Sequence, residues 1–264
     1  MSVETAVFTD DVSTLAALEE DYDRVYFGNE FCDKRLPDPE AVTDAYDYCT
    51  EQGLDMTLVS PIMTPMKTSA VESILEAVEP FTSDLELVFN DWGVYQLATE
   101  FGDFEDLVAG RTMSGQKRAP EVSHLTGDTD ITLEDGGAVV TDGVREHFKK
   151  SIVNVPYARD HLEDLGVGRI ELDVLSHDMY DEDVQFSTSI YYPWNFVTVK
   201  RWCQESTSAP LCDENCADVV FSLDNQPVTP ERLYRMNNAI FTYNEDVPDL
   251  SYVDREVFIP DPVN

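Results

Sequence analysis

The sequence predicts an α/β fold, a TIM-type (β/α) barrel or an incomplete, irregular version of one, spanning residues 1–264 as a single domain. Two observations lead there. Short β-branched or aromatic runs alternate with amphipathic helical patterns, and no Gly/Ser-rich or Pro-rich linker divides the chain. An open doubly wound sheet would share the alternation, but no Gly-x-Gly-x-x-Gly turn follows the first predicted strand.

That strand is Arg24-Val25-Tyr26-Phe27-Gly28. A helix follows, with Pro39 in its first turn and Gly53 as its C-terminal stop. Within it Val42, Ala45, Tyr46 and Cys49 recur at helical spacing, so Cys49 reads as a small buried hydrophobe. Met56-Thr57-Leu58-Val59-Ser60 is the second strand, and Val71, Ile74, Leu75 and Val78 mark the face of the next helix. Leu85–Phe89 continues the alternation, followed by a helix carrying Val94, Leu97, Ala98 and Phe101. Further strands fall at Asp106–Ala109 and Arg169–Leu175, the latter after a helix that stops at Gly166. Gly127 to Gly137 reads as a loop excursion. In the run Ile190–Phe196 the aromatic residues read as strand core, with Pro193 at an edge or bulge.

Charge narrows the setting. There are 53 Asp and Glu against 17 Lys and Arg, giving a formal net charge of −36. With 42% hydrophobic residues the chain can bury a core, so the acid is expected as a solvated skin of the kind suited to a salt-rich cytoplasm. Such a balance opposes broad capture of nucleic acid, although local recognition of a base stays open. The N-terminus lacks the organisation of a signal peptide and no run approaches a membrane span, so a cytoplasmic location is expected.

Four cysteines suggest a metal centre. Cys203, Cys212 and Cys216 lie within fourteen residues, and Cys32 stands in the loop after the first predicted strand. Four thiolates suit a 4Fe-4S cluster or a zinc ion. Other polar residues also follow predicted strands: Asn90 and Asp91 after the third, Arg111 after the fourth, His177 after the fifth. In a barrel those ends share one face.

These segments resemble the peptidase U32-like family, especially its short members in oxygen-independent ubiquinone biosynthesis. The resemblance runs through Val25–Arg35 around Cys32, Asn90-Asp91-Trp92-Gly93-Val94, Leu107–Arg111 with Gln116-Lys117-Arg118, Glu171–His177, and the Cys212/Cys216 spacing. It implies a barrel with a 4Fe-4S cluster on Cys32, Cys203, Cys212 and Cys216, hydroxylation without molecular oxygen, prephenate as oxygen donor, and a related U32-like subunit as partner in a heterodimer. The eight-residue gap from Cys203 to Cys212 is shorter than in those members, and the aromatic insert is longer.

Each candidate has an alternative role. His177 suits proton transfer or a loop cap, and Asp91 suits catalysis or capping of the helix that begins at Trp92. Arg111 could fork a substrate carboxylate or pair with one of the many acids. Asn90, Lys117 and Arg118 complete the expected substrate-binding set for a small molecule. A zinc-stabilised binding protein and a metal-dependent peptidase are the competing functions, although no His-Glu-x-x-His or Gly-x-Ser-x-Gly motif is present.

Overall fold

The computed structural model describes residues 3–17, 21–118, 142–181, 186–200, 216, 219–223 and 232–260. Eight parallel strands close into a barrel: β1 (Glu4–Thr9), β2 (Arg24–Gly28), β3 (Asp55–Val59), β4 (Glu86–Phe89), β5 (Asp106–Ala109), β6 (Val167–Asp173), β7 (Ser187–Tyr192) and, late in the chain, β12 (Arg255–Phe258), which pairs with both β7 and β1. Between β7 and β12 the chain builds a four-stranded antiparallel sheet from β8 (Trp194–Val199), β9 (Val220–Leu223), β10 (Leu233–Met236) and β11 (Ala239–Tyr243), in the order β8-β11-β10-β9.

The fold is thus the expected TIM-type barrel, with departures: the sequence pattern does not single out β12 or the β8–β11 sheet, and the run Ile190–Phe196, expected as one strand, divides at Pro193 between β7 and β8. One strand, β1, precedes the strand read as first, and β6 begins and ends two residues earlier than expected. The helices α1 (Pro39–Gln52), α2 (Thr68–Val78), α3 (Trp92–Phe101) and α5 (Pro156–Asp164) lie where the sequence puts them, and α4 (Asp142–Lys149) precedes α5. Asp38 caps α1 through the Ala41 amide, and Gly53 ends it in the left-handed conformation, φ 71°. Cys49 packs in the α1 interface as its spacing predicts, and burial pushes its thiol up to about 11. The Gly127–Gly137 excursion lies outside the described residues.

Strand alternation divides the apolar residues into two cores. Outward-facing Val25, Phe27, Leu58, Leu87, Ile170 and Leu172 pack under the helices. Inward-facing Ala6, Tyr26, Val59, Val88, Val108, Tyr191 and Val257 fill the lumen. The N-terminal end of the lumen is charged. Arg24 and Arg255 each donate to Glu4 at 2.7 Å, and Arg255 grips Glu86 at 2.6 and 3.0 Å. Burial alone would raise the Glu86 carboxyl, but Arg255 holds it down to about 2. Conventional barrels carry chemistry at the other end.

Candidate functional site at the barrel mouth

The C-terminal ends of the strands gather most of the residues expected there. Gly28 turns the chain out of β2 with φ +141°, and a Cβ at this position would sit 2.2 Å from the Val59 carbonyl oxygen, so only glycine passes. The loop it opens carries Asn29, Glu30, Phe31 and Cys32, with the Cys32 amide donating to Asn29 Oδ1 at 2.9 Å. Gly110, after β5, lets the backbone approach Asn90, whose Oδ1 would lie 2.5 Å from an added Cβ.

At the centre of the mouth lies a buried ionic network. Arg111 Nε donates to both Glu30 oxygens (3.1 and 2.9 Å) and its Nη2 to Glu30 Oε2 (2.5 Å). Its Nη1 donates to Asp173 Oδ1 (2.8 Å) and to the Trp194 carbonyl (3.1 Å). Arg118 Nε donates to Asp173 Oδ2 at 2.6 Å, while its Nη2 reaches the Arg111 carbonyl, Ser114 and Gln116. The charges alternate and balance, two guanidinium groups against two carboxylates. Burial raises Glu30 against the opposing pull of Arg111, which stays charged between its two partners.

This network is covered. The inner face of the β8–β11 sheet, through Trp194, Phe196, Ala239 and Phe241, packs on Phe31, with Phe31 and Phe196 stacked at 4.4 Å between centroids. The Arg111 guanidinium lies 5.0 Å from the Phe31 ring centroid and 4.2 Å from that of Tyr191. Arg111 is therefore only 2% exposed.

Asn90 and Asp91 organise the neighbouring rim. Asn90 donates to the Ser60 carbonyl (3.0 Å) and accepts from Thr112, tying the ends of β3, β4 and β5. Asp91 caps α3 by accepting from Gly93 and Val94 at 2.7 and 3.0 Å, and it also accepts from the Met63 amide at 2.5 Å. Lys117 donates to the Gly115 and Lys150 carbonyls, and burial lowers its pKa. His177 follows β6 on the same rim, beside the end of α4. Burial lowers its pKa, a hydrogen bond to the Phe148 backbone opposes this, and its Nε2 is buried with no partner.

A structure described as "The Structure of the U32 Peptidase Mk0906" superposes over 98% of this chain and 93% of its own, with 12% identity and a TM-score of 0.50. The fold is U32-like. No protein-family model and no curated protein matches the sequence.

Two of the four expected metal ligands lie within the described residues, Cys32 and Cys216, and both are buried. Cys203 and Cys212 lie outside them, and no group of three or more candidate ligands occurs among the described residues. One side chain bears on whether the four could meet. The Asn238 amide donates at 2.7 Å to the carbonyl of Phe31, the residue before Cys32, and at 2.8 Å to that of Lys200, three residues before Cys203. Lys200, the last described residue before Cys203, therefore lies beside the Cys32 loop, and four cysteine thiolates are a donor set of the kind that holds a cluster or a zinc ion.

Glu30 and Asp173 are members of this site that the sequence did not single out. For Asp173 a signal is present: Glu171 and Asp173 alternate with Ile170, Leu172 and Val174, a pattern that puts acids on one face of a strand whose other face is apolar. No described helix is long and apolar enough to cross a membrane.

Proposed function

We propose that this protein binds a 4Fe-4S cluster through Cys32, Cys203, Cys212 and Cys216 at the C-terminal rim of its barrel, and takes part in an oxygen-independent hydroxylation or a related biosynthetic modification. The observation that supports this reading is the Asn238 amide shared by the Phe31 and Lys200 carbonyls, which holds Lys200, three residues before Cys203, beside the Cys32 loop. A cluster of this type would supply one-electron redox chemistry. The chain's own residues do the rest. Asn29 and Asn238 fix the Cys32 loop, and the Glu30–Arg111–Asp173–Arg118 network makes the floor beneath it rigid. Phe31 and Phe196 exclude water from that floor. Prephenate as oxygen donor, a small ring-containing substrate, a related U32-like subunit as partner and a cytoplasmic setting belong to the same reading.

Anaerobic purification followed by iron, sulfide and zinc analysis tests it. The expected result is roughly four irons and four sulfides per chain. Cys32→Ala, Cys203→Ala, Cys212→Ala and Cys216→Ala each lose most of the metal, whereas Cys49→Ala keeps it. One zinc and no colour, or equal metal in all five variants, overturns the assignment. The described activity of the structural neighbour favours a second reading, peptide hydrolysis. Cleavage of unfolded protein substrates that survives all four cysteine substitutions would select it.

A further inference from the structure

Two polar atoms on the inward face of β6 are buried without a partner: Glu171 Oε1 and Arg169 Nε. Their residues alternate with Ile170 and Leu172, which pack outward under the helices, so both side chains enter the lumen about 7 Å apart along the strand. Glu171 is wholly buried, and Oε2 has a partner, accepting from Tyr191 Oη at 2.7 Å. Arg169 Nη1 is likewise engaged, donating to Asp254 at 2.5 Å and to Ser189 Oγ at 3.3 Å. Ser189 is the register partner of Glu171 on β7, and its hydroxyl lies 3.2 Å from Tyr26 Oη. The unsatisfied pair is thus ringed by hydroxyls.

We infer that the barrel lumen holds one buried water molecule, bound between Glu171 Oε1 and Arg169 Nε. The chemistry selects water. Arg169 Nε can only donate, while Glu171 Oε1 donates or accepts according to which oxygen carries the acid proton. A water serves either case and gains further partners in the surrounding hydroxyls, meeting the two to four polar contacts a buried water needs. Left without it, two buried polar groups would each bear an uncompensated desolvation cost.

The water has a consequence for the lumen as a whole. Below it, Arg255 donates to Tyr26 at 2.7 Å, and Tyr26 meets Ser189. Above it, Glu171 accepts from Tyr191, whose ring lies against Arg111 of the mouth. The bound water joins these into one hydrogen-bonded column along the barrel axis, with a neutral acid at its middle. Burial pushes Glu171 up to about 8, with Glu30 adding to the rise and the Tyr191 hydrogen bond, Arg111 and Arg255 opposing it.

A high-resolution crystal structure of the unmodified protein tests the site directly. The expected result is a single density peak within hydrogen-bond distance of both Glu171 Oε1 and Arg169 Nε, and its persistence in Glu171→Gln, which keeps one donor and one acceptor. An empty lumen, direct protein partners for both atoms, or a bromide anomalous signal at the peak overturns the proposal. Thermal melts give a second readout. Between the ordinary value of 4.5 and about 8 the folded protein holds a proton on Glu171 that the unfolded chain has lost, so its stability falls as pH rises through that window and then levels. Glu171→Gln removes that slope, and its melting temperature relative to the unmodified protein climbs through the same window. A constant difference across the window refutes the neutral acid at the centre of the column.

Discussion

Replacing Arg111 by Met would remove the cation that binds the mouth together while keeping a long apolar side chain in its place. In the native protein all three guanidinium nitrogens are occupied by Glu30, Asp173 and the Trp194 carbonyl. After the change, two buried carboxylates face a single cation, Arg118. Removing one partner of a buried pair costs about 3–5 kcal/mol, because the other charge stays desolvated. Against a typical folding stability of about 5–15 kcal/mol, this is about a fifth of the total or more. Urea titrations followed by tryptophan fluorescence would measure it, since Trp194 lies within the perturbed contact. The deficit should also depend on pH. Burial already raises Glu30 against the pull of Arg111, and losing that pull raises it further. A carboxyl whose folded pKa is raised loses stability as pH rises and regains it on acidification, so the gap between variant and native protein narrows at low pH. Arg111→Lys keeps the charge but not the fork and should fall between the two. A loss below about 1 kcal/mol at neutral pH, or a gap that does not change with pH, would refute the account of the mouth as a desolvated ionic lock.

Asp91→Ala should cost about 1–2 kcal/mol in chemical denaturation by uncapping α3, with Asp91→Asn recovering most of it, and equal losses in both would show that cap geometry is not the cause. Raising KCl from 0.1 M to molar levels should raise the melting temperature, because 53 carboxylates repel one another less as the Debye length shortens from about 10 to about 3 Å; an unchanged or falling melting temperature would remove the salt-adapted reading of the acidic surface.

The barrel was legible because its strands are short apolar runs set between helices with clear stops, such as Gly53 and Gly166. β1 was harder: Glu4-Thr5-Ala6-Val7-Phe8-Thr9 has only three apolar residues, and no helix precedes it to set the alternation. β12 has only Val257 and Phe258 to identify it. The rim was read through residues that follow strands, which found Cys32, Asn90, Asp91 and Arg111 but not the partners of Arg111. Charge composition hid those. With so many acids on the surface, Glu30, Glu86, Glu171 and Asp173 look like four more, and only their apolar neighbours distinguish them. The aromatic insert read as strand core does pack as core, but its role in roofing the mouth depends on where the β8–β11 sheet docks, and no local pattern encodes that.

The register that matches Glu4 with Arg255 makes the first and last strands of the barrel neighbours. During synthesis, β1 to β7 can assemble as an open, curved sheet whose two outer edges have no partner until β12 emerges. Those edges are made of Ala6-Val7-Phe8 on one side and Ile190-Tyr191-Tyr192 on the other, bare and apolar enough to attract strands from a neighbouring chain. A nascent chain of this protein therefore depends on holding its open sheet apart from its neighbours until β12 has emerged, and a coat of like charge on every copy serves that interval as well as the finished fold.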